Sequence, residues 1–174
     1  MNFIYFENLS LRDADLFLNN FLEEESKGFN KIIPDLIKNG ITVDYSYESI
    51  KPIIISEIKK IKTTKEKQDE CLPSWITETE SYRKGLYSFD ETSKILILRI
   101  SYYLGQCFVK NNKTLSWNIG NSATAEKNMP VIKGFKKKME LAPIMICENL
   151  FCRLIEGTDS STIDTVISTW RSFI

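Results

Sequence analysis

The sequence predicts an α+β fold, with about five helices packed around a small antiparallel β-hairpin or short sheet. Two apolar helices with clear start and stop signals lie between Phe89 and Ile155, and a predicted hairpin that carries Trp117 separates them. Amphipathic stripes before and after this block are typical of helices that cover a shared core. No repeat or linker divides the 174 residues, so one globular domain over residues 1–174 is expected.

The helix after Asp90 is expected to form the centre of the core. Asp90 is a good N-cap because its carboxylate can accept amide hydrogens of the first turn. Apolar residues from Ile95 to Val109 cover most of the circumference, which leaves a narrow strip for water. That strip comprises Arg99, Tyr102, Gln106 and Lys110. Ser101 and Gly105 lie one turn apart, and their small side chains predict a notch where another segment packs closely.

The central helix is predicted to pack against the second apolar helix, which begins at Pro143 and stops at Gly157. The residues expected at this contact are Leu96, Ile100, Leu104 and Phe108 on one side and Ile146, Leu150 and Leu154 on the other.

The position of Arg99 on the central helix has two interpretations. It either pairs with a carboxylate, for which Glu148 is the candidate, or lies on the solvent-exposed strip with Lys110.

Two strands are expected between the apolar helices, at Thr114–Ile119 and Met129–Phe135, because both segments are rich in residues that favour strands. The connection from Gly120 to Asn128 is too long for a tight turn, which indicates a flexible or functional loop. Further amphipathic helices are predicted after Ser49 and from Ser161.

The first helix is predicted to begin at Ser10 and to end at three consecutive acids, Glu23, Glu24 and Glu25. A separate short helix, Lys31–Lys38, is expected to follow. The acids are either a solvated helix end or an acidic contact surface for a basic partner, and both interpretations stay open.

The longest irregular stretch is predicted from Thr63 to Phe89. It contains three aromatic residues beside two acids, a mixture typical of protein-binding surfaces. These residues are Trp75, Tyr82 and Tyr87, with Glu78 and Glu80. The alternative is that the aromatic side chains fold back as a lid over the core.

Composition argues against several classes of partner and compartment. The 23 basic and 23 acidic residues cancel, so no overall charge attracts nucleic acid or an anionic membrane. No segment approaches the roughly 18 to 20 apolar residues of a membrane span, and the first residues do not resemble a secretory signal. The four cysteines show neither a disulfide framework nor metal-site spacing. A cytoplasmic protein without a metal is expected.

The absence of histidine is the strongest evidence against catalysis. It excludes serine or cysteine catalysis that uses an imidazole base, and metal sites with histidine ligands. The chain has no phosphate-binding loop, and its seven glycines are scattered singly, so no cofactor is expected. A pair of carboxylates of the glycosidase type remains possible. The sequence therefore predicts a protein that is not an enzyme.

Three short motifs resemble a set of uncharacterised bacterial domains. They are DYSYESI at Asp44–Ile50, YYLGQCFVKNN at Tyr102–Asn112, and the following Ser116 and Trp117. Those domains carry a D-x-S-x-E-S-I/L helix start, then a Y-L-G-E helix and a tryptophan hairpin. Gln106 stands here where the usual pattern has glutamate. The resemblance covers about Thr42 to Ile155.

The resemblance implies no known activity, but similar proteins are often small cytosolic partners, including immunity proteins encoded beside secreted toxins. The leading expectation is therefore a non-catalytic protein-binding module, a bacterial immunity protein that binds and neutralises a cognate toxin. The alternatives are a regulatory or scaffold protein, and an enzyme that uses carboxylates.

Overall fold

The computed structural model describes residues 6–65, 87–121 and 123–174, and it confirms the predicted α+β class. The described helices are α1 (Leu11–Lys38), α2 (Ile50–Glu57), α3 (Glu91–Asn111), α4 (Pro143–Ile155) and α5 (Ser161–Arg171). The described strands are β1 (Thr63–Lys65), β2 (Tyr87–Phe89), β3 (Ser116–Ile119) and β4 (Pro130–Lys133). They form two antiparallel pairs, β1–β2 and β3–β4. None of the described helices has the length and apolar character needed to cross a membrane.

Helix α3 is the centre of the core, as its apolar circumference predicts. Asp90 caps it, since the carboxylate accepts a hydrogen bond from the Ser93 amide at 2.7 Å. Side chains on most sides of the helix are buried, including those of Leu96, Ile100, Leu104 and Phe108. Helices α1, α2 and α4 and both strand pairs contact it. The rest of the described chain is therefore arranged around one helix.

The notch at Gly105 is confirmed, and Trp117 of β3 fills it. A Cβ atom at Gly105 would overlap the six-membered ring of Trp117 and would lie 3.2 Å from the Ile132 side chain. Phe21 of α1 packs edge-on against the same indole, with ring centroids 5.6 Å apart. Gly105 therefore lets the β3–β4 pair lie directly on α3, and Trp117 joins that pair to α1.

Two expectations about the faces of α3 and α4 need correction. Tyr102 was expected on the solvent-exposed strip of α3, but it is 8% exposed because Phe21 of α1 covers it. On α4, Leu150 is buried as expected, whereas Ile146 and Leu154 are only partly buried. Helix α4 instead turns other side chains fully into the core. These are Ile144, Cys147 and Phe151.

The first helix does not end at Glu23–Glu25, because α1 continues unbroken to Lys38 and includes Pro34. The separate helix predicted at Lys31–Lys38 is its last part. Buried residues recur along the whole length, at Ala14, Phe21, Gly28, Phe29 and Leu36. This continuous apolar stripe outweighs the hydrogen bond that a proline inside a helix removes. The three acids therefore lie mid-helix, where the dipole of a helix end does not oppose them.

The two strand pairs fix the segments on either side of α3. Strands β1 and β2 pair at the two ends of the segment Thr63–Phe89, with Thr63 opposite Phe89. In the β3–β4 pair, Trp117 lies opposite Ile132. The connection after β3 is anchored by Asn128, which is 2% exposed and donates hydrogen bonds to the carbonyls of Phe6 and Leu9.

Truncation of Leu104 to alanine tests the central position of α3. Leu104 is 1% exposed, so the substitution should lower the free energy of unfolding by about 2–5 kcal/mol. Ile95→Ala is the matched control, because Ile95 lies on the same helix and is 44% exposed. Urea denaturation followed by circular dichroism measures both. Equal losses in the two variants would contradict the assignment of α3 as the core.

Substitution of Gly105 by alanine tests the contact with Trp117. In an open helix this change would stabilise by about 1 kcal/mol, but here the new methyl group overlaps the indole, and overpacking typically costs about 1–3 kcal/mol. Gly28→Ala in α1 is the comparison, because its methyl group would meet the flexible Arg99 side chain. Thermal unfolding should show the larger loss for Gly105→Ala. A stabilised Gly105→Ala variant would contradict the contact.

Candidate functional site

The predicted binding residues form two groups, one between the β1 and β2 segments and one on α1. Only the side chains of the α1 group belong to the described residues. Four of the residues predicted between the β1 and β2 segments lie outside the described residues. They are Trp75, Glu78, Glu80 and Tyr82. The backbone of Tyr87 lies in β2, opposite Lys65. Glu23, Glu24 and Glu25 lie in the middle of α1, where their side-chain contacts are defined.

Glu23 and Glu24 are on the solvent side of α1. Their side chains are 66% and 67% exposed, and both contact the Lys27 ammonium group, at 2.7 and 3.1 Å. The hydrogen bond from Lys27 lowers the pKa of Glu23 below its usual value. Exposed ion pairs of this kind contribute little to stability. The two carboxylates are therefore accessible to a cationic partner that can displace Lys27.

Glu25 does not belong to this exposed surface, which corrects the expectation that the three acids act together. Its side chain is only 15% exposed, and its Oε2 atom lies 3.9 Å from Nε of Arg99 on α3. Neither of these two atoms has a hydrogen-bond partner in the described structure. Burial raises the pKa of Glu25, and the attraction of Arg99 opposes this shift without cancelling it.

The partner of Arg99 is therefore Glu25, and the expected pairing with Glu148 is wrong. The geometry of α3 explains why. Ser101 faces Cys147 of α4, and residues two positions apart point to nearly opposite sides of a helix. Arg99 consequently points toward α1, where Gly28 leaves room for it: a Cβ there would lie 2.6 Å from Arg99 Nε.

The exposed side of α1 carries acidic and apolar side chains beside the basic Lys27. Leu16 is 58% exposed, and it lies seven residues before Glu23, which places both on one side of the helix. We call Leu16, Glu23 and Glu24 the α1 surface. The opposite side of α1 is fixed in the core, so this surface is held rigidly. Its chemistry suits a partner with basic groups beside an apolar patch.

The buried polar groups of α3 and the buried Cys147 of α4 serve the fold. The Tyr103 hydroxyl accepts a hydrogen bond from the Tyr45 amide at 3.1 Å and shares one with the Ser49 hydroxyl at 2.6 Å. Burial raises the pKa of the Cys107 thiol, and it raises the pKa of Cys147 to about 12. Both thiols therefore stay protonated at neutral pH and are poor nucleophiles.

A groove between α4 and α5 was not predicted from the sequence. It is lined by Ile146, Asn149, Leu150, Arg153, Val166 and Trp170. The spacing of its α4 residues could have indicated a shared surface, because Asn149, Leu150 and Arg153 follow Ile146 by 3, 4 and 7 positions and so lie on one helical face. Two of these residues, Ile146 and Leu150, are apolar and two, Asn149 and Arg153, are polar, so the pattern identifies one face of the helix but not whether another element covers that face.

Comparisons with known proteins do not add to this geometry. No protein-family model, curated protein or solved structure matches the chain. Within the described ranges, no three His, Cys, Asp or Glu side chains form a group that could hold a metal ion.

The pH dependence of stability tests the burial of Glu25. Because its pKa is raised in the folded state, the folded state favours the neutral carboxyl group, and this contribution is lost as pH rises through the folded pKa. The stability of the natural chain minus that of Glu25→Gln should therefore decrease from acidic to neutral pH. Denaturant unfolding across this range measures the difference.

The control for this experiment is Glu24→Gln, which removes one exposed carboxylate from the same helix and corrects for net charge. The contrary result is a gain in stability of the natural chain relative to Glu25→Gln as pH rises. The attraction of Arg99 would then outweigh burial, and the raised pKa assigned to Glu25 would be wrong.

Proposed function

We propose that this chain is a non-catalytic protein-binding module, an immunity protein that binds and neutralises a cognate toxin in the bacterial cytoplasm. The observation that supports the proposal most is the α1 surface. Two exposed carboxylates and an exposed leucine stand on a helix whose other side is buried. A surface that is ordered before binding loses little conformational entropy in a complex.

The charge of the α1 surface suggests the kind of toxin. A toxin that acts on an anionic substrate needs a basic groove, and an acidic inhibitor can occupy that groove in place of the substrate. Opposite charges also accelerate association at low salt. Lys27 already pairs with both carboxylates, but these exposed pairs are weak and can be exchanged for pairs with the toxin.

The aromatic and acidic residues Trp75, Glu78, Glu80, Tyr82 and Tyr87 are proposed as a second part of the interface. Aromatic anchors supply much of the binding energy in protein complexes, whereas peripheral charges mainly affect the association rate. On this view the α1 surface guides the encounter, and Trp75 and Tyr82 hold the complex.

The experiment is a titration of the chain with the product of the neighbouring gene, by calorimetry and by stopped-flow at several salt concentrations. The double variant Glu23→Lys, Glu24→Lys should bind about tenfold more weakly, associate more slowly and lose salt dependence. Asp35→Lys is the matched control, because Asp35 is an exposed acid on the same helix. Circular dichroism checks that each variant is folded.

Further variants test the second part of the interface separately from the α1 surface. Trp75→Ala or Tyr82→Ala should cost at least ~2 kcal/mol of binding, and Glu78→Lys with Glu80→Lys should slow association. Full affinity in the Glu23, Glu24 double variant would remove the α1 surface from the interface. Failure of the natural chain to bind or neutralise the neighbouring product would overturn the immunity function.

A further inference from the structure

The groove between α4 and α5 is an elongated apolar depression of about 300 Å³. Its wall on α4 extends from Ile146 to Arg153, a distance of about 10 Å at 1.5 Å per residue. Val166 and Trp170, one turn apart, form the wall on α5. Trp170 is held in place by ring contacts with Phe135 and Phe173, at 5.3 and 6.0 Å between centroids. The groove is therefore preformed and two helical turns long.

Arg153 gives this groove its charge. It is exposed, and among the described residues it pairs with no carboxylate and no acidic side chain lines the groove. A neighbouring depression beside α5 differs, because its arginine, Arg171, already lies 3.7 Å from Glu48 and over the Tyr47 ring. An apolar floor beside a guanidinium group that no described carboxylate pairs with is complementary to an apolar side chain followed by a carboxylate.

We propose that this groove binds an amphipathic helical segment of another protein, which inserts apolar side chains beside Trp170 and pairs an acidic side chain with Arg153. The volume is at the lower end of ligand pockets, which hold roughly 300–1,000 Å³, and the length matches two turns of a helix. Docking of a helix into such a groove is a common form of peptide recognition. This surface prefers an acidic partner, whereas the α1 surface prefers a basic one.

The test selects peptides from a random displayed library against the intact chain and against Arg153→Glu. Peptides selected by the natural chain should carry apolar residues three or four positions apart and an Asp or Glu one turn away. Arg153→Glu should select Lys or Arg at that position. A synthetic acidic peptide should bind Arg153→Glu at least tenfold more weakly than it binds the natural chain, by fluorescence anisotropy.

Arg12→Glu is the control, because it makes the same charge reversal at an exposed position on α1 and should leave affinity unchanged. Arg153→Gln removes the charge without placing an acid near the end of α4, and it should weaken binding by a smaller factor. Peptides without an acid preference, or equal affinity for Arg153→Glu, would overturn the proposal. So would a dimer of the free chain that Arg153→Glu converts to monomer, since a second copy would then fill the groove.

Discussion

The close contact between Trp117 and Gly105 is the constraint on which the arrangement of the described chain depends. Because Gly105 has no side chain, the indole lies directly against α3, and the β3–β4 pair is carried with it. Phe21 then packs on the same indole and on Tyr102, which fixes α1. The absence of a side chain at Gly105 therefore determines how the β3–β4 pair and α1 pack against α3.

The sequence predicted those features that depend on local pattern. Periodicity identified α3, the cap at Asp90 marked its start, and the small residue at Gly105 marked a close approach. Features that depend on tertiary contact were not predicted. The acids Glu23–Glu25 resembled a helix end because local electrostatics oppose them there, but packing along the whole apolar stripe extends α1 beyond them. The partner of Arg99 depended on which side of α3 faces α1, which spacing alone does not determine.

The same limit applies to function. Sequence identified the acids as a group, but the structure divides them, because Glu25 is largely covered beside Arg99 whereas Glu23 and Glu24 are exposed to solvent. Conversely, the α4–α5 groove combines residues from two helices that no single stretch contains. The chain has no net charge, yet it exposes two neighbouring carboxylates on α1 and an arginine in the α4–α5 groove. Charge balance in the composition therefore does not imply that every part of the surface is neutral.

Native-state hydrogen exchange tests the central role of α3 most directly. Amides in the core of a cooperative domain exchange only through global unfolding, whereas peripheral elements also open locally. The backbone amides from Ile97 to Phe108 should be the slowest to exchange, with an opening free energy equal to the global free energy of unfolding. Faster exchange in this segment than in α1 or α5 would contradict the account, because α3 could then open while its surroundings remained folded.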